Sequence, residues 1–340
     1  MSTLIYNASY DTLRRDEFRY VPHAIEDSNV RMSVILQAPE LTFRRLDKKL
    51  FPASIVARNK FLKFLNNMVS SRVQRTQYLE TASEKTKGNK MAGDIFSLFQ
   101  NARDPETGKG FGIEELSGES ATLIVAGSDT TSTTLAGVFY YLGQNQDIYD
   151  RVAAEVRATF ADAEEIRMGP KLSSCTFLRS CVNETLRMSP PTGSALWREV
   201  CSGGANVAGH FIPAGCDVGV GIYAIHHNSK YFPEPLQFRP DRWSSHGVGD
   251  DNGGENGKQT DDQSRAGSLA RQAFMPFSIG TRGCIGKGLA TLEIMLTMAT
   301  ILWKSDFRRA NNLPLVGEYP LRDHITASKQ GPMLQFRLRK

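Results

Sequence analysis

The chain has 340 residues, 40% of them hydrophobic and 23% charged, with a formal net charge of +5. That length suffices for a large core or two domains, and the mild basicity without a dense Lys/Arg run excludes a nucleic-acid-binding tract and reads as a solvated surface. Five scattered cysteines, odd in number and without a CxxC pair, exclude a disulfide framework and a zinc site and favour a reducing compartment.

In chain order, residues 1 to about 85 read mostly as helices. Phe18 to Met32 is a helical segment interrupted by Pro22. Ala53 to Arg75 carries Ile55, Val56, Phe61, Phe64, Leu65 and Val69 close to helical spacing, an apolar face for the core or a pocket wall. Lys85 to Lys90 and Ala102 to Gly112 read as loops. A long helix follows from Ile113 to Leu142, with Gly143 as its stop; at 1.5 Å per residue it is roughly 45 Å long. Asp147 to Phe160 and Leu172 to Met188 are further helices, the second ended by Ser189-Pro190-Pro191. From Ala205 to Ala224 the pattern turns to strands, with Val218, Val220 and Ile222 alternating. His226 and His227 are adjacent and point in different directions in regular structure, which argues against a metal pair. Ser244 to Gln272, poor in apolar residues, reads as a disordered surface insertion. A helix continues after Cys284 to about Trp303, and Tyr319 to Arg339 alternates enough for strands. The sum is a mainly α chain with small β-sheets. No apolar run approaches the ~20 residues that cross a bilayer, and the opening Met-Ser-Thr-Leu-Ile-Tyr has no signal-peptide pattern, so no anchor of the chain's own is expected.

Four stretches carry chemistry. In Phe277-Ser-Ile-Gly-Thr-Arg-Gly-Cys-Ile-Gly286 a glycine loop runs into Cys284 at the start of a helix. Helix N-terminal amides favour a thiolate over a thiol, and glycines let a flat ligand approach closely. A thiolate so presented suits haem iron, and its pattern arises by chance in roughly one random chain in several thousand. The middle of the long helix, Ala126-Gly127-Ser128-Asp129-Thr130-Thr131, is locally unfavourable for a helix and places an acid in an apolar stretch. Such a conflict marks either a functional groove, opened by Thr130 bonding back to the Ala126 carbonyl, or a Ser/Thr-rich packing face. Glu184-Thr185-Leu186-Arg187 sets Glu and Arg on one helix face. Glu164 to Arg167 repeats that spacing, but in a polar segment that reads as surface. Phe238-Arg239-Pro240-Asp241-Arg242-Trp243 follows Tyr231-Phe232-Pro233.

Together and in this order, the four stretches resemble the motifs of the cytochrome P-450 monooxygenases of the eukaryotic microsomal type, over nearly the whole chain. The resemblance implies a single haem-thiolate domain over 1–340, incomplete at its N-terminus, with 244–272 inserted. It implies heme b with Cys284 as the axial iron ligand and metal-binding residue, and Phe277, Gly280, Arg282 and Gly286 as the rest of the cofactor loop. Arg282, joined by Arg198, would take haem propionates. Asp129 and Thr130 become the acid–alcohol pair that delivers protons during oxygen activation, and Glu184, Arg187 and Arg242 a structural triad. Leu123, Ala126, Leu196 and Ile325 would line an apolar substrate pocket. Partners follow: O₂, a small apolar substrate, and electrons from NADPH through a reductase or a small electron carrier, with no nucleic acid. A full-length relative would sit on the cytoplasmic side of the endoplasmic reticulum membrane, in secondary metabolism. The alternative is a truncated, inactive relative that binds haem weakly or not at all. A haem-thiolate isomerase or dehydratase fits less well, because it has no use for the Asp129–Thr130 pair.

Overall fold

A computed structural model describes residues 1–83, 93–244, 268–310 and 317–339. Eleven helices precede the last long one in chain order: α1 (Ser2–Tyr6), α2 (Tyr20–Gln37), α3 (Leu46–Leu50), α4 (Pro52–Ser83), α5 (Ile95–Asn101), α6 (Ile113–Gln144), α7 (Gln146–Thr159), α8 (Pro170–Ser173), α9 (Thr176–Met188), α10 (Ile222–His226) and α11, described over 268–273. α12 (Lys287–Lys304) completes the set among the described residues. The strands β1 (Arg198–Glu199), β2 (Ala205–Val207), β3 (His210–Ile212), β4 (Asp217–Val218), β5 (Ser305–Arg309), β6 (Leu321–Arg322), β7 (Ser328–Lys329) and β8 (Leu334–Leu338) form four antiparallel pairs: β1 with β4, β2 with β3, β5 with β8 and β6 with β7. The mainly α class with small sheets is therefore the observed one. The chain divides into two compact units, Met1–Asp129 and Thr130–Lys340, with α6 running through the division.

In the first unit α2 and α4 pack together. Val21, Ala24 and Ile25 meet Phe61, Phe64, Leu65, Met68 and Val69, joined by Phe96 of α5 and by Leu116 and Ile124 of α6. Each of the larger side chains among them contributes about 1.5–3 kcal/mol of apolar transfer. Pro52 opens α4, a position where proline's fixed φ suits the helix and its missing N–H costs nothing. Pro22 likewise falls in the first turn of α2, so it does not interrupt that helix as its sequence position suggested. Arg72 and Asp94 form a buried pair (Nε to Oδ2, 2.7 Å), and Asp94 also caps α5 through the Ser97 amide at 2.7 Å. Burial pushes the Asp94 carboxyl up, but the bonds from Arg72 and Ser97 outweigh it and hold it below the usual range. The expected loop over Ala102–Gly112 is present, while the one over Lys85–Lys90 lies outside the described residues.

The second unit is built on α7, α9 and α12. Val152, Ala153 and Val156 pack with Leu178, Cys181 and Val182, and with Ile294, Met295, Met298, Ala299 and Leu302. Three expectations are corrected here. Gly143 does not stop α6: the helix runs on to Gln144, and a Cβ at Gly143 would lie 3.2 Å from Leu334 of β8. The glycine permits close packing rather than a cap. The single helix expected over Leu172–Met188 is two, because the Glu155 carboxylate of α7 accepts the Phe177 and Leu178 amides at 2.8 Å and starts α9 afresh at Thr176. The alternation through Val218, Val220 and Ile222 ends early, since Ile222 opens α10. Of the insertion expected over Ser244–Gln272, residues 245–267 lie outside the described residues. Residues 268–273 are helical, with Ala270 and Ala273 buried beside Phe232 and Trp243.

Candidate functional site

Cys284 sits on the turn that leads into α12, whose first residue is Lys287. Its amide donates to the Phe277 carbonyl at 2.8 Å, closing the loop into a ring of backbone. Inside that ring Ser278 and Gly280 have φ of 58° and 71°, in the left-handed region. Gly280 adopts this at little cost; Ser278 is held there by its amide bond to Met275 at 3.0 Å. A Cβ at Gly280 would meet nothing within 4 Å, and one at Gly286 would meet only the Cys284 Sγ, at 3.7 Å. The thiol itself, Arg282 and Gly280 are exposed, and neighbouring Ile285 is 98% exposed. Phe277 is half-buried against the α7–α9–α12 core and anchors the loop's other end.

This donor set fits haem. Among the described residues no three His, Cys, Asp or Glu side chains converge on a possible metal position. A single cysteine thiol can supply one ligand to a metal that brings its others with it, as porphyrin iron does. The adjacent His226 and His227 belong to no such group: His226 is fully buried, and His227 pairs with Glu318 at 2.7 Å. Arg198, on β1, is exposed and folds its guanidinium back onto the Leu196 and Trp197 carbonyls at 3.2 and 2.8 Å.

Behind the loop lies a saturated carboxylate. Glu184 and Arg187 of α9 are fully buried and bidentate, Nε and Nη2 reaching the two carboxylate oxygens at 3.0 and 2.9 Å. Arg242 Nε adds a third bond at 3.0 Å, so the three residues grouped by sequence are in contact. The Arg239 amide donates at 3.0 Å and Trp243 Nε1 at 2.8 Å, two donors the sequence reading missed although both lie in the segment it singled out. Glu164 and Arg167, the competing pair, are exposed, and Arg167 donates to the Glu164 carbonyl rather than its carboxylate.

On α6, Asp129 is buried and Thr130 half-buried. The helix is continuous through them, with hydroxyls bonding back one turn at Ser117, Thr122 and Thr134, the last onto the Thr130 carbonyl at 3.0 Å. In the first unit the Met1 side chain lies over Gly127, where a Cβ would collide with it. Leu123 is half-buried and Ala126 exposed on the same stretch. In the second unit Leu196 is at the margin of exposure. Ile325 takes φ of 76° in a turn tied down by the Ala327 amide, which donates to the Pro191 carbonyl at 2.7 Å.

The Cytochrome P450 family model matches residues 1–312. The chain belongs to that family. It is 52% identical over 337 residues to the cytochrome P450 monooxygenase poxM of Penicillium oxalicum, covering 99% of this chain and 60% of poxM. It is 44% identical to the cytochrome P450 monooxygenase lcsN of Purpureocillium lilacinum, covering 99% of this chain and 95% of lcsN. The crystal structure of the cytochrome P450DA heme domain shares the fold, with a TM-score of 0.70 at 21% identity, over all of this chain and 65% of that one. Among the described residues no helix is long and apolar enough to cross a membrane.

Proposed function

We propose that the chain is the haem-thiolate portion of a monooxygenase that inserts one atom of O₂ into a small apolar substrate, with electrons drawn from NADPH through a reductase. The observation that carries this reading is the exposed Cys284 thiol on a backbone ring closed at Phe277 and continuous with α12. Haem, when bound, supplies reductive activation of O₂ at its iron. Cys284 would hold that iron through Sγ, presented on the turn that leads into α12. Arg282 and Arg198 would take the two propionates by charge-assisted hydrogen bonds. Thr130 holds a transferable proton at Oγ1 and Asp129, buried beside it in sequence, is the acid that resupplies it. The apolar side chains of Leu123, Ala126, Leu196 and Ile325 favour an apolar substrate. A partner reductase belongs to the same reading, as does the cytoplasmic face of the endoplasmic reticulum for a full-length protein of this type.

The test is spectroscopic. Expressed with haem supplied, reduced and exposed to carbon monoxide, the chain should give the red-shifted Soret band of a thiolate ligand, and Cys284→Ala should abolish it. Absence of haem uptake would instead favour an inactive relative. Thr130→Ala should leave that band in place while uncoupling NADPH oxidation from product formation; unchanged coupling would remove Thr130 from the proton path.

A further inference from the structure

His226, the last residue of α10, is fully buried and faces two different partners. Its carbonyl accepts Arg187 Nη1 at 2.9 Å, which attaches it to the Glu184 cluster. Its ring nitrogen Nε2 accepts the Met275 amide at 3.0 Å. From Met275 the backbone bonds continue: the Met275 carbonyl takes the Ser278 amide at 3.0 Å, and the Phe277 carbonyl takes the Cys284 amide at 2.8 Å. An acceptor at Nε2 requires the neutral ring with its proton on Nδ1. Burial and the adjacent Arg187 guanidinium supply that state, pushing the imidazole down to about 3. The ring also stacks on Phe274, 5.5 Å between centroids, and Phe274 packs in turn on Trp243 at 4.4 Å.

We infer that His226 is a positioning residue: its Nε2 clamps the Met275 amide and so transmits the register of the Glu184–Arg187–Arg242 cluster to the loop that presents Cys284. Nothing about the ring's bulk alone accounts for this. A phenyl group would stack equally well on Phe274 but would leave the half-buried Met275 amide without an acceptor at that position. The functional weight of the clamp rests on Cys284 being the haem ligand, while the clamp itself is readable without haem.

Three variants separate acceptor from shape. Gln can place its amide oxygen near the position of Nε2, Asn is too short to do so, and Phe keeps only the ring. In the haem-free chain, amide hydrogen exchange at Met275, Ser278 and Cys284 should be roughly tenfold faster or more in His226→Phe and His226→Asn, and close to the parent in His226→Gln. After haem loading, the first two should move part of the reduced carbon-monoxide band from the thiolate to the neutral-thiol position, and Gln should not. Should the Phe variant fail to fold, the Asn–Gln pair decides alone. Parent-like exchange in a folded Phe or Asn variant overturns the clamp, and so does equal loss of protection in Gln. Loss of the thiolate band in the parent protein would instead sink the ligand assignment and leave the exchange result standing.

Discussion

At the scale of single residues the Glu184 carboxylate of the second unit accepts five hydrogen bonds. Its two oxygens share the guanidiniums of Arg187 and Arg242, the Trp243 indole and the Arg239 amide. Two cations within one buried site are tolerable only because the carboxylate is ionised between them, so Glu184→Gln keeps the shape and removes the compensation. Its expected cost is about 3–5 kcal/mol, the penalty of leaving buried charge unpaired. Trp243→Phe keeps the ring and removes one neutral donor to the carboxylate, for about 1–3 kcal/mol. Urea unfolding followed by circular dichroism ranks the two; an equal or larger loss in the Trp variant would mean that packing of the indole, not charge compensation, dominates the cluster. The Glu-x-x-Arg spacing was legible in the sequence because both partners lie on one helix turn. The indole and the Arg239 amide come from 59 and 55 residues away, and no local pattern announces which of several polar groups will turn toward a given carboxylate.

At the scale of elements, α6 shows how one residue type can carry opposite meanings. A Cβ at Gly137 would stand 2.8 Å from the Thr185 methyl of α9, whereas one at Gly118 would meet nothing within 4 Å. Gly137→Ala should therefore destabilise by about 1–3 kcal/mol through overpacking. Gly118→Ala, at an exposed helical position, should stabilise by up to about 1 kcal/mol through helix propensity and a less flexible unfolded chain. Thermal melts of the two variants should move in opposite directions, and a stabilising Gly137→Ala would show that α6 and α9 yield easily. The same ambiguity explains the misplaced stop at Gly143: a glycine admitting Leu334 and a glycine ending a helix are identical in sequence. The break between α8 and α9 was hidden for a related reason, since the capping carboxylate, Glu155, belongs to another helix. Long apolar periodicities such as Phe61 to Val69 were readable because burial on one face imposes the 3.6-residue repeat over many turns. Strands of two to five residues impose almost none, so the Val218–Ile222 alternation gave way to a helix start.

At the scale of the whole molecule, the four motifs were recoverable because each is contiguous in sequence. The link between two of them through His226 was not, since it depends on a helix end meeting a loop 49 residues later. That link predicts how the molecule responds to acid. Unfolded, His226 takes up a proton near pH ~6.5; folded, burial and Arg187 depress it to about 3. Between those values the unfolded state binds one more proton, so stability is full above pH ~6.5 and falls as pH drops, by about 1.4 kcal/mol per pH unit. The carboxylates Asp241, Asp306 and Glu318 of the same unit are held below their usual range, chiefly by bonds from Arg151, Arg157 and His227. Their stabilisation is present above pH ~4 and lost only as pH falls further, and the same holds for Asp47 and Asp94 in the first unit. All three tryptophans, Trp197, Trp243 and Trp303, belong to the second unit, so their fluorescence reports its unfolding alone. Urea titrations followed by tryptophan emission should lose about 2 kcal/mol between pH 6.5 and 5. His226→Gln, which cannot titrate there, should flatten that dependence while keeping the Met275 amide paired. A slope that survives the substitution would assign the proton uptake to another group and would show that folding does not depress the titration of His226.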